Sequence, residues 1–132
     1  MAGLIVVDAS VLYEVLAQGA RASLVHAALA EVDEFAAPEL IDVEVTGLVR
    51  RDASRALLDE TACHQALNNL VDWPGKRYPH RPFAWRVWDL RDNVRTHDAY
   101  YVALAEALDA PLLTLDARLA RATGPRCPML IL

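Results

Sequence analysis

Apolar residues fall into two spacings along this chain. Gly3 to Val7, "GLIVV", is a short unbroken apolar run of the kind made by a strand buried on both faces, and it stops at Asp8. The following "ASVLYEVLAQG" has helical spacing and ends on a glycine that suits a helix stop. Helical periodicity returns from Arg21 to about Val32, and a brief extended piece, "EFAAP", then leads into Pro38. That proline fits the first turn of a helix running to about Arg51, and Ser54 is placed to cap another through about Leu70. The proline-rich "DWPGKRYPHRP" predicts loop or edge strand, because proline cannot donate to a sheet ladder. Helix resumes near Phe83. Asp98 to Leu108 reads as a further helix, Leu112 to Leu115 as a strand, the next residues as a short helix and "CPMLIL" as a last strand.

Short apolar strands separated by amphipathic helices predict an α/β fold: a central, mainly parallel sheet of four or five strands with helices on both faces. In such sheets ligands bind beyond the carboxyl ends of the strands. Asp8 and Asp116 each follow a predicted strand, so the fold directs both to one edge. With 132 residues, of which 55% are hydrophobic, the chain reads as one domain spanning 1–132 with enough apolar material for a core. No apolar run approaches the roughly 20 residues that span a bilayer, and Met1 to Val7 lacks the basic start and longer apolar stretch of a signal peptide. The expectation is a cytoplasmic protein with no membrane association. Cys63 and Cys127 have no metal-like spacing and are read as incidental thiols.

The formal charge of -5 argues against a protein that coats nucleic acid indiscriminately, but the charge is uneven. Between Lys76 and Arg95 stand six bases and two acids, a local surplus of +4, which leaves -9 on the rest of the chain. Trp73, Trp85 and Trp88 lie in the same stretch with Tyr78 and Phe83. Aromatic planes beside arginine can stack unpaired bases, although Trp85 and Trp88, three apart on a helix, are expected to pack on the core or on a subunit contact.

Four acids occupy informative positions. Asp8 and Asp116 each stand where a helix begins, and capping explains either one taken singly. Glu44 is different: its neighbours three and four positions away are Leu40, Ile41, Gly47 and Leu48, the centre of an apolar face. Asp98 lies over Val102 and Ala105 and beside Tyr101, again on an apolar stripe. A carboxylate that faces a core needs a cation or hydrogen-bond donors. Arg51, two turns from Glu44, is one candidate partner. Taken together, the four carboxylates converge without a comparable set of buried bases, and hard oxygen ligands select magnesium or manganese. Ions held in this way perform the chemistry of metal-dependent phosphodiester hydrolysis.

The segments "VVDASVL", "APELIDVEV" and "THDAYYVALAEALDAPLLTLDARLARA" resemble the PIN-domain ribonucleases, specifically the toxins of VapBC toxin-antitoxin modules. The resemblance covers nearly the whole chain, strongly at both ends and weakly between about Arg51 and Arg95. It implies a three-layer sandwich and an endoribonuclease whose Mg2+ or Mn2+ ligands correspond to Asp8, Glu44, Asp98 and Asp116. Ser10 and Thr114 match positions that often carry a hydroxyl near the site. One departure is Asp109, where a glycine usually ends the helix; aspartate tolerates a left-handed turn better than most residues. The resemblance also implies a homodimer and a VapB-type antitoxin lying across the active site. RNA is the implied substrate; the basic stretch makes Lys76, Arg77, Arg81 and Arg86 candidate phosphate contacts, and His97, which precedes Asp98, is a candidate substrate contact. Two alternatives remain open: a PIN-type nuclease acting in RNA processing or on DNA, and a non-catalytic binding protein. A haloacid-dehalogenase hydrolase is disfavoured because "DAS" lacks the second aspartate, and a response-regulator receiver because the single lysine, Lys76, lies in the proline-rich segment.

Overall fold

The computed structural model describes residues 3–132. Five strands, β1 (Leu4–Val7), β2 (Glu34–Pro38), β3 (Lys76–Tyr78), β4 (Leu112–Thr114) and β5 (Met129–Ile131), form one sheet in the order β3-β2-β1-β4-β5, and every pairing is parallel. The connecting helices are α1 (Ala9–Leu16), α2 (Ala22–Leu29), α3 (Leu40–Ser54), α4 (Glu60–Asp72), α5 (Ala84–Asp89), α6 (Thr96–Ala107) and α7 (Ala117–Ala120), with a short 3-10 turn at Arg81–Phe83. Among the described residues, no helix is long and apolar enough to cross a membrane.

Successive side chains on a strand point to opposite faces, and the consecutive residues Ile5 to Val7 of β1 and all of β4 are buried, so helices cover both sides of the sheet centre. α6 packs against β1, β2 and β4 and carries α5 on its flank, while α1 to α4 pack on one another, with α1 and α3 also reaching the sheet. The chain moves outward from β1 to β2 and β3, then returns to the other side of β1 for β4 and β5. Strand order therefore reverses between β1 and β4, which is where an open α/β sheet leaves a crevice at its carboxyl edge.

Several boundaries differ from those the sequence suggests. Pro38 is the last residue of β2, aligned with Tyr78 of β3, so the extended piece takes the proline and α3 starts at Leu40. Ser54 closes α3 and caps nothing beyond it; α4 is capped by Asp59, whose carboxylate accepts from the Ala62 N–H at 2.8 Å. Gly19 is not the left-handed residue after α1, since Gln18 takes that conformation at φ 53°. Trp85 and Trp88 are not core residues: they are 82% and 57% exposed, and Arg91 lies 4.4 Å over the Trp88 ring.

Three helices close on a non-glycine residue with positive φ, namely Gln18, Ala56 and Asp109. At the end of α6 the Ala110 N–H reaches the Ala105 carbonyl and the Asp109 N–H reaches Glu106, the paired bonds of a Schellman ending. The same pair recurs at Ala56, where Leu57 N–H bonds Asp52 and Ala56 N–H bonds Ala53. Asp109 adopts φ 51° as its residue type allows, but Ala56 at φ 57° brings its Cβ too close to backbone oxygen. Ala56→Gly is therefore expected to stabilise the protein by about 0.5–1 kcal/mol, the steric relief outweighing the added chain entropy. Urea unfolding measures this, and a destabilised variant would contradict the reading.

Candidate active site

Asp8 follows β1 directly, and its own N–H still bonds the Leu113 carbonyl at 3.2 Å, so the β1–β4 ladder runs up to the acid. Its Oδ1 accepts from the Ser10 hydroxyl at 2.6 Å and the Val11 N–H at 3.1 Å, which makes Asp8 the N-cap of α1 as well as a buried carboxylate, 6% exposed. Ser10 Oγ in turn accepts from the Leu115 N–H at 3.3 Å and so ties the loop after β1 to the loop after β4. Thr114 is fully buried at the end of β4, and its hydroxyl accepts from the Asp116 N–H at 2.9 Å. Asp116 caps α7 through one oxygen, Oδ1, which accepts from the Arg118 and Leu119 N–H groups.

Glu44 and Asp98 arrive on helices. The N-terminus of α3 has no side-chain cap of its own; instead His80 Nε2 accepts from the Leu40 N–H at 2.9 Å, one turn before Glu44. The same imidazole meets Tyr100 of α6 edge-on, with ring centroids 5.1 Å apart, so it braces together the two helices that bring these acids. Glu44 is oriented by Tyr101, whose buried hydroxyl donates to Oε1 at 2.6 Å. Arg51 does not pair with Glu44; its guanidinium bonds Asp52 at 2.9 Å.

Asp8, Glu44, Asp98 and Asp116 line one cavity of about 320 Å3, together with Ser10 and Tyr101. No Lys or Arg forms an ion pair with any of them among the described residues. The cluster is open: no three His, Cys, Asp or Glu side chains of the described residues stand close enough to form a ready-made metal site.

A PIN-domain family model matches residues 5–125. Ribonuclease VapC1 of Mycobacterium tuberculosis is 42% identical over 123 residues, covering 92% of both chains, and Ribonuclease VapC12 of the same organism is 36% identical over 121 residues, covering 92% of this chain and 93% of its own. This chain belongs to the PIN-domain family of VapC ribonucleases. Two solved structures share its fold: FitAcB from Neisseria gonorrhoeae, with a TM-score of 0.72, 18% identity and 96% of each chain covered, and the M. tuberculosis toxin VapC20, described as cleaving the sarcin-ricin loop, with a TM-score of 0.70, 14% identity and 88% of this chain covered against 92% of its own.

The electrostatics of this PIN domain follow from the geometry. Burial pushes Asp8 upward from the ordinary carboxylate range, opposed by hydrogen bonds from Ser10, Thr114 and Val11 and reinforced by the charge of Asp98. Burial also raises Glu44, against the Tyr101 hydrogen bond and with the help of Asp98 and Asp8. Asp98 is raised by burial and by the neighbouring Asp116, with partial relief from Arg95, His97 and Arg118. Three acids thus resist ionisation, and a divalent cation is the counter-charge such an all-oxygen donor set fits.

Two of the arginines singled out from sequence have internal roles. Arg77 donates to Asp42 through two nitrogens and to the carbonyls of Leu70, Trp73 and Gly75, so its fork is committed to the join between α3, α4 and β3. Arg86 grips Glu106 in bidentate fashion at 2.7 and 3.0 Å and also reaches the Gly124 carbonyl. Neither guanidinium is free to meet phosphate. Lys76 and Arg81 are exposed, with Lys76 lying 4.9 Å over the Tyr78 ring, and neither lines the acidic cavity. Sequence reasoning missed His80 and the role of the Tyr101 hydroxyl. Tyr101 was visible beside Asp98 on the α6 face, but its partner lies 57 residues away.

Raised carboxyl pKa values fix a sign. Their stabilising contribution is complete below the ordinary carboxylate range, near pH 4, and is lost as pH rises through the folded values. A cation that binds the ionised cluster restores that stability by mass action. Manganese should therefore raise Tm more at pH 7.5 than at pH 5, and Asp98→Asn should remove most of the difference. Thermal scans at both pH values test this, and an equal shift at both, or an undiminished one in the variant, would count against the site.

Proposed function

We propose that this PIN domain is an endoribonuclease toxin of a VapBC-type module, acting in the cytoplasm with Mg2+ or Mn2+ held by Asp8, Glu44, Asp98 and Asp116, and silenced by a VapB-type antitoxin. The observation that carries the reading is the convergence of four carboxylates, from four separate elements, on one cavity at the switch point of the sheet, with no ion pair to any of them among the described residues. The curated relatives are named ribonucleases, which favours RNA over DNA and disfavours a purely binding role.

When bound, the cation supplies Lewis acidity and makes water a better nucleophile toward phosphorus. The chain supplies position. Asp8 has little rotational freedom because Ser10 and Val11 hold one oxygen, and Glu44 has little because Tyr101 holds its Oε1. Ser10, by also binding the Leu115 N–H, keeps the Asp8 and Asp116 loops at a fixed separation. Thr114 fixes the backbone at Asp116, whose Oδ1 is occupied by α7, so that carboxylate faces the cavity from a defined direction. Burial lowers the effective dielectric and strengthens every charge interaction with substrate.

The partner reading rests on apolar surface. Leu24 on α2, Val43 on α3, Leu57 in the connection between α3 and α4, and Val71 at the end of α4 are 50%, 75%, 67% and 78% exposed. Such surface suits a homodimer contact and an antitoxin segment. The acidic cavity suits an arginine from that antitoxin, which neutralises the cluster with bidentate hydrogen bonds.

Asp8→Asn and Asp98→Asn should each leave the circular dichroism spectrum intact while lowering RNA cleavage about 100-fold or more, since each removes a charge at the reacting centre. Cleavage of total RNA, with a chelator control, measures it. Activity within a few-fold of wild type in either variant would remove that acid from the site.

A further inference from the structure

A second cleft, of about 220 Å3, shares Asp98 and Asp116 with the acidic cavity and adds Asn93, Arg95, Arg118 and Leu119. We propose that Arg95 and Arg118 form a phosphate subsite that holds the RNA backbone one linkage away from the bond being cut. The inference rests on the ribonuclease reading of the acidic cavity and deepens it.

Placement is the first argument. Arg95 precedes α6 and stands three residues before Asp98; Arg118 lies in α7, two residues after Asp116. Each arginine is carried by the same rigid segment as one of the acids, so the distance between charge and carboxylate is set by local structure and does not depend on distant packing. The two segments face each other across the cleft.

Availability is the second. Both residues are exposed, and among the described residues neither guanidinium makes a hydrogen bond or an ion pair with the rest of the chain. The Arg118 backbone N–H caps against Asp116, which fixes the main chain and leaves the fork free. Arg77 and Arg86, by contrast, are committed to Asp42 and Glu106.

Chemistry is the third. A strand of phosphodiesters approaching a carboxylate cluster is repelled unless cations flank its path, and a planar guanidinium fork matches two phosphate oxygens. Asp98 and Asp116 are shared between the two cavities, so a backbone phosphate held by the arginines lies next to the linkage that enters the acidic cavity. Contacts of this type position the strand and carry no base information.

The test uses an unstructured single-stranded RNA oligonucleotide and the Asp8→Asn chain, in magnesium buffer, with binding read by fluorescence anisotropy over a salt series. Adding Arg95→Gln and Arg118→Gln together should weaken binding about tenfold at low salt and reduce the slope of log affinity against log salt by about 1.4, roughly 0.7 for each lost phosphate contact. Arg55→Gln, at the end of α3 and outside both cavities, should change little. If the double substitution lowers folded content, each single variant should still reduce the slope by about 0.7. Unchanged affinity and slope, or an equal loss in Arg55→Gln, would overturn the subsite. The two readings separate cleanly: a wild-type chain that binds through these arginines yet cleaves no RNA keeps the subsite and removes the nuclease, whereas cleavage with arginine variants indistinguishable from wild type does the reverse.

Discussion

Burial of carboxylates that the fold draws toward one cavity is the constraint on which the rest of this structure depends. Asp8, Glu44 and Asp98 are all displaced toward the neutral form, first by burial and then by neighbouring acids, with Asp98 acting on Asp8, Asp98 and Asp8 on Glu44, and Asp116 on Asp98, so the arrangement opposes folding above the carboxylate range. The surrounding structure compensates with fixed neutral donors. Ser10, Thr114, Tyr101 and backbone N–H groups hold acidic oxygens or the loops that carry them. Neutral donors orient a carboxylate while leaving its charge available, whereas an arginine would satisfy it. Among the described residues, the absence of ion pairs at the four acids is therefore as informative as their convergence.

The braces come from far along the chain. His80, in the proline-rich connection after β3, stands in for the missing cap of α3 and leans on Tyr100 of α6. Tyr101 then links α6 to α3 directly. Since Glu44 lies one turn into α3 and Asp98 in the first turn of α6, those contacts set the spacing between two acids that no local sequence rule relates. A segment that resembles a variable connector thus serves the site through a single imidazole.

Much of the candidate site was legible because its acids break local patterns: Glu44 and Asp98 interrupt apolar helical faces, and Asp8 and Asp116 follow apolar strands. Alternating strands and helices were enough to give a parallel sheet, and a parallel sheet has only one edge where such residues meet. What sequence could not show depends on partners distant in the chain. Arg77 and Arg86 sit within a basic stretch that looks like a nucleic-acid surface, yet Asp42 and Glu106, 35 and 20 residues away, claim them. Trp85 and Trp88 have core-like spacing, but α5 is short and flanks α6, so Val87 supplies its buried contact while both indoles face outward. Pro38 and Ser54 were misplaced by one element each, because strand pairing with Tyr78 and the long run of α3 overrode local preference.

The proposed role of these four carboxylates is to hold one or two divalent cations. Anomalous scattering from manganese in crystals of the wild-type chain tests it most directly. The account predicts a peak within the cavity, in contact with Asp8 and with at least one of Glu44, Asp98 and Asp116, and its loss in Asp8→Asn. No peak at saturating manganese in crystals of a chain that cleaves RNA, or a peak held by residues outside this cavity, would contradict it.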